Sequence, residues 1–125
     1  MYTRILAVLG AAALALMAAP LSAHHGWGGQ SGEQSQLTGT VTTGVSLAGP
    51  HATMQIEDAD GQVWDITLAP SSRTSRAGLT EDIIPLGAEV TVTGNRNSDM
   101  ARYEMKTVRV TYDGTNYDVY PRRIS

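Results

Sequence analysis

Cysteine is missing from all 125 residues. Disulfides, a thiol nucleophile, thiolate metal ligands and a lipid-carrying cysteine are therefore excluded. Phenylalanine is missing too, so a core must be built from Val, Ile, Leu, Met and Tyr, with Trp64 the one tryptophan inside a strand pattern. Charge of positive sign is scarce: nine Lys and Arg stand against twelve Asp and Glu, with the basic residues scattered. That balance argues against nucleic-acid binding and against a polybasic attachment to anionic lipid. No Gly-x-Ser-x-Gly elbow is present, and Glu57, Asp58 and Asp60 do not have the spacing of a calcium loop.

The one long apolar run lies near the start. Arg4 is followed by Ile5 to Met17, 13 residues without a charge, then by Pro20 and by Leu21-Ser22-Ala23. These are the three parts of a secretory signal. A spanning helix needs about 20 apolar residues, and this run meets Pro20 first. We expect residues 1–23 to be a cleaved signal peptide, with Ala19 as the rival cut site. The mature chain is then periplasmic or secreted, with no stable membrane insertion. It is one domain of modest size, and a monomer is expected.

Residues 24–35 are polar and rich in Gly, and read as a flexible N-terminal arm. Trp27 in that arm is expected to pack back onto the domain. From Gln36 the pattern has period two: Leu37, Gly39, Val41 and Thr43, then Val45 and Leu47, predict a long first strand with a bend at Gly39 or Gly44. His51 to Glu57 predicts a second, with Ala52, Met54 and Ile56 on one face. Asp58 to Gly61 is a hairpin turn. Gln62 to Leu68 predicts a third strand, burying Trp64, Ile66 and Leu68. Pro70-Ser71-Ser72 opens a short helix that stops at Gly78, with Ser71, Ser72 and Ser75 as capping hydroxyls. Glu89 to Asn95 and Arg102 to Tyr112 predict two more strands, the latter offering Tyr103, Met105, Val108 and Val110 to the core. Its count slips by one around Lys106-Thr107, which predicts a bulge. A short sixth strand is available from Thr115 to Tyr120, before the basic tail, residues 121–125. The order predicts an all-β chain with one short helix, folded over residues 36–120 as a small OB-like barrel of five to six strands, the helix lying between strands three and four. An open β-sandwich is the competing architecture.

In this order the chain resembles a family of small exported bacterial proteins that carry only a domain-of-unknown-function label. The resemblance rests on Ala23-His24-His25 after the leader, the Gly39-Thr40-Val41 strand and the Pro50-His51 step. It continues through Asp60-Gly61 with Trp64, Arg76-Ala77-Gly78, and Pro85-Leu86-Gly87 before Val90-Thr91-Val92-Thr93-Gly94. Gly26, Gly49 and Leu79 depart from the pattern. The resemblance implies export and a small β-barrel, and supplies no function.

The three histidines, His24, His25 and His51, all stand at places which that pattern uses. Cleavage after Ala23 makes His24 the first residue, and its α-amine and imidazole can then chelate one metal ion, with His51 or His25 supplying a further ring. Nitrogen ligands of this kind favour Cu(II), and an α-amine pKa of about 7.7–8.0 makes proton loss cheap near neutrality. The bland alternative is a processing remnant beside a strand-start histidine. Met54, Met100 and Met105 are expected to fill core gaps. Arg73 and Arg76, three apart on the short helix, are expected to pair with Glu81 and Asp82, or else to receive an anion. The tyrosines at 103, 112, 117 and 120 are expected to pack at the core and rim. The reading is an exported binding or accessory module and not an enzyme, with copper as the candidate cofactor. The alternative is a metal-free domain that binds an envelope protein or a small ligand. A copper redox enzyme would need an open coordination position and a substrate surface.

Overall fold

A computed structural model describes residues 27–125. The leader, His24 and His25 lie outside the described residues. Six strands form: β1 (Gln30–Ser46), β2 (His51–Glu57), β3 (Val63–Pro70), β4 (Glu89–Asn97), β5 (Glu104–Tyr112) and β6 (Thr115–Asp118). One helix, α1 (Ser71–Arg76), lies between β3 and β4, and a 3-10 helix spans Pro121–Arg123.

Antiparallel pairs join β1 to β2 and β4, β2 to β3, β4 to β5 and β5 to β6. A parallel pair from Asp65↔Glu104 to Thr67↔Lys106 joins β3 to β5 and closes the barrel. The result is a closed five-stranded mixed barrel of OB-like form with β6 added outside. Closure hides the edges that a small open sheet would leave unpaired.

The alternation expected of β2 and β3 is present. Ala52, Met54 and Ile56 are buried from one strand, and Trp64, Ile66 and Leu68 from the next. They meet Val41, Val45, Val90, Val92, Met105 and Val110 in one core. Asp58 organises the hairpin: its carboxylate accepts from the Asp60 and Gln62 amides and from Trp64 Nε1 at 2.9 Å, while Gly61 takes the positive φ of 83° that the turn needs.

Two bulges bend β1, between Val41 and Thr43 and between Thr43 and Ser46. This is the region of Gly44, and Gly39 serves instead for close approach, since a Cβ there would lie 2.7 Å from the Glu57 carbonyl oxygen. The slip expected on β5 is real: Thr93 faces Arg109 while Gly94 faces Thr107, leaving Val108 as the extra residue.

Four expectations need correction. β1 begins at Gln30 rather than Gln36, so residues 30–35 of the supposed flexible arm are strand. They pair with β4, Gln34 facing Asn95 and Gln30 facing Asn97, because the backbone ladder gives a polar segment partners that its side chains do not advertise. The helix has no side-chain cap, and Ser71 Oγ instead donates to the Gly49 carbonyl at 2.6 Å. Tyr103 is 42 % exposed and packs edge-on against Trp64. Met100 is 64 % exposed and belongs to no core. Both lie at or beside the β4–β5 turn, where no opposing layer covers them.

Candidate functional site

The outer surface of a barrel strand normally faces water, yet on β5 Lys106 and Val108, which lie outside the core cluster that holds Met105 and Val110, are buried. The chain after β6 provides the cover. Val119 and Tyr120 donate their amides to the Val108 carbonyl at 3.0 and 3.2 Å. The 3-10 helix then turns back towards β1, where the Gln34 side-chain amide donates to the Arg123 carbonyl and Ser125 donates through N and Oγ to Gln34 Oε1 at 3.1 and 2.8 Å. The supposed tail is a docked strap.

Trp27 completes the cover, packing back as expected. Its ring meets Tyr120 edge-on at 5.3 Å. Arg123 lies over the Trp27 ring at 4.2 Å and Arg73 over the Tyr120 ring at 5.4 Å. Lys106 Nζ sits against both rings, 5.5 Å from Trp27 and 5.7 Å from Tyr120. A cleft of about 330 Å³ opens here, lined by Trp27, Pro70, Arg73, Tyr120, Arg122 and Arg123. Beside it a second cleft of about 460 Å³ runs between Gln30, Gln34, Asn95 and the strap.

Among the described residues no carboxylate side chain lines either cleft. Among the described residues the ion pairs are Arg102–Glu104 and Arg109–Asp118, and neither reaches this cluster. The expected pairing of Arg73 and Arg76 with Glu81 and Asp82 does not form. Glu81 instead accepts from the Leu47 amide at 3.0 Å, and Arg73 is drawn to the Tyr120 face, a cation–π contact that a guanidinium makes readily.

The electrostatics follow from that composition. Burial, and then the nearby Arg123, push the Lys106 pKa down, with Glu104 opposing. Burial holds the Tyr120 hydroxyl protonated to higher pH, against the pull of Arg73 and Arg123. His51 is lowered by burial and then by Lys106, so its ring is more fully neutral at pH 7.

His51 itself is exposed at the head of β2 and faces Pro70 in the β2–β3 register. Pro70 shares the smaller cleft with Trp27, which stands three residues after His24 in the chain. His51 is therefore at the same end of the barrel as the start of the described chain. Among the described residues no three His, Asp or Glu side chains are grouped to hold a metal.

The outer face of β2 and β3, the usual ligand face of OB barrels, has a different character. Thr43 donates to Gln55 and Gln55 to Asp65, both at 2.8 Å, beside Glu104, in a groove of about 290 Å³. It offers no aromatic platform and no cation for nucleic acid. The cluster under the strap was hidden in the sequence. Arg122-Arg123 reads as a tail, Lys106 as a bulge position, and Trp27, Arg73 and Tyr120 are far apart in the chain.

No protein-family model matches this chain, and no curated protein matches it. Among solved structures it is similar in fold to the crystal structure of a ZRD-deleted mutant of TiaS in complex with agmatine, at a TM-score of 0.51 and 14% sequence identity. The match covers 70% of this chain and 26% of that one, so this chain spans about a quarter of the neighbour's length.

Proposed function

We propose that this protein is an exported small-ligand-binding module whose ligand is anionic and is held in the cleft between Trp27, Tyr120 and the strap. The observation that carries the reading is the convergence of Arg73, Arg123 and Lys106 on two aromatic rings with no lining carboxylate. At an effective dielectric of about 20, a cation at about 6 Å from a ligand charge contributes about 3 kcal/mol. Solvent and salt screen the exposed arginines below that value. The Trp27 and Tyr120 rings supply apolar contact area. Export is supported by the leader pattern of Arg4, Ile5 to Met17 and Ala23. Nothing in the cleft resembles a nucleophile with an adjacent base, so binding and not turnover is the activity proposed.

Copper held by His24 and His51, with or without His25, is the second reading. One observation favours it: His51 and Trp27 share one end of the barrel, and the His51 ring is biased towards its neutral, metal-ready form. The cation cluster opposes it, because an incoming Cu(II) carries charge of the same sign and is repelled.

The test is a titration of the exported, tag-free protein, its first residue established by mass spectrometry, followed through Trp27 fluorescence. Anions change the emission under the first reading, and Arg73→Ala with Arg123→Ala together abolish the response. Silence towards every anion, together with tight Cu(II) binding that disappears in His24→Ala, transfers the function to the second reading.

A further inference from the structure

Lys106 is 7 % exposed, and no carboxylate lies within ion-pair distance of it among the described residues. Burial of its stem desolvates the charge in part, although the ammonium keeps contact with solvent: the fully buried, unpartnered side-chain polar atoms among the described residues are Gln30 Oε1 and Arg96 Nε. The two ring faces offer part of the compensation. Glu104, the nearest acid that acts on it, is engaged by Asn97 Nδ2 at 3.0 Å and by Arg102 at 3.6 Å. Arg123 adds a like charge to the same neighbourhood. A Leu or Met at this position would pack against the same rings without that partial desolvation, so the retained, solvent-reached charge is available to a ligand.

Resting on the anion-binding reading above, we infer that the cleft selects a doubly charged oxyanion of the phosphate type, inorganic phosphate or a small phosphate monoester, with Lys106 as the positioning charge that discriminates it from a monocarboxylate. The count of charges supports this. Arg73, Arg122 and Arg123 line the cleft, and Lys106 Nζ lies 5.5 and 5.7 Å from the Trp27 and Tyr120 rings that wall it, so one negative charge leaves a strong cationic excess and two reduce it substantially. Arg73 and Arg123 present planar forks of N–H donors suited to oxyanion geometry. The cleft, at about 330 Å³, admits a phosphate with a few carbon atoms attached.

Calorimetry at fixed ionic strength and pH separates the outcomes, with inorganic phosphate, glycerol 3-phosphate and acetate as probes. The wild type is expected to bind both phosphates at least 10-fold more tightly than acetate. Lys106→Met is expected to lose that selectivity while keeping or raising the melting temperature of the free protein. Lys106→Arg, which retains the charge, is expected to restore it. Arg123→Ala on the exposed strap guards against a folding artefact in the β5 variants, and is expected to weaken both phosphates about 10-fold. Acetate binding as tightly as phosphate, or selectivity unchanged in Lys106→Met, overturns this inference and leaves the anion cleft standing. No binding of any probe overturns both. A preference for glycerol 3-phosphate over inorganic phosphate identifies the monoester as the ligand, and the reverse identifies the free ion.

Discussion

Asp58 does the work of a whole turn with one carboxylate. Its bond from Trp64 Nε1, followed by that from the Gln62 amide, holds its pKa below the ordinary 3.8. The unfolded carboxylate therefore takes up a proton before the folded one does as the pH falls. The stability it contributes is complete above 3.8 and is lost as the pH drops through the depressed folded value. Asp58→Asn keeps one acceptor oxygen and loses the charge. The melting-temperature gap between wild type and Asp58→Asn, followed by circular dichroism, is expected to be constant above about pH 5 and to narrow below it. Gly94, like Gly39, is a residue whose identity is forced by backbone, since a Cβ there would run into the Lys106 carbonyl oxygen. Gly94→Ala is expected to cost about 1–3 kcal/mol, as overpacking of this kind does, and to lower the melting temperature measurably. The Asp58 turn was legible in the sequence because Asp-Ala-Asp-Gly is local chemistry. The demand on Gly94 was not, because it comes from a strand paired across the bulge.

At the scale of elements, β1 and the strap depart furthest from expectation. The polar N-terminal half of β1 has no alternating pattern to read, and it is strand because β4 offers it a ladder. The strap is held by the same half-strand through Gln34, so each non-obvious element positions the other. Gln34→Ala is expected to free the strap and weaken phosphate binding several-fold, with little change in the core transition seen by circular dichroism. Hydrogen exchange at the Val119 and Tyr120 amides, both bonded to the Val108 carbonyl, is expected to accelerate in the same variant. β2, β3 and α1 were legible, since their apolar residues alternate and Gly78, at φ 93°, stops the helix.

For the whole molecule, the net charge of −3 conceals a division of labour. The β2–β3 face carries Asp65 beside Glu104, while the strap end gathers Arg73, Lys106, Arg122 and Arg123. Averaged over the chain, the acids win, and composition argues against an anionic ligand. Resolved in space, one end of the barrel is cationic. Because a ligand that binds only the folded state stabilises it by about 2.7 kcal/mol at a hundredfold excess over Kd, phosphate is expected to raise the melting temperature in proportion to the logarithm of its concentration. Acetate at the same ionic strength is expected to leave it nearly unmoved.

The strands, turns and helix of the barrel followed from the sequence, and the parallel β3–β5 pair decided closure over the open sandwich. Alternation, turn residues and one proline-led helix are local signals, and together they admit few ways to hide the edges of five short strands. The site belongs to the tertiary structure. Trp27, Arg73, Lys106 and the pair Tyr120 and Arg123 come from four separate segments, and what unites them is the cover that the strap and Trp27 place over the outer face of β5. No periodicity encodes that cover, because it depends on long-range backbone bonds to the Val108 carbonyl and to Gln34. Burial of a charge is a property of what lies above it.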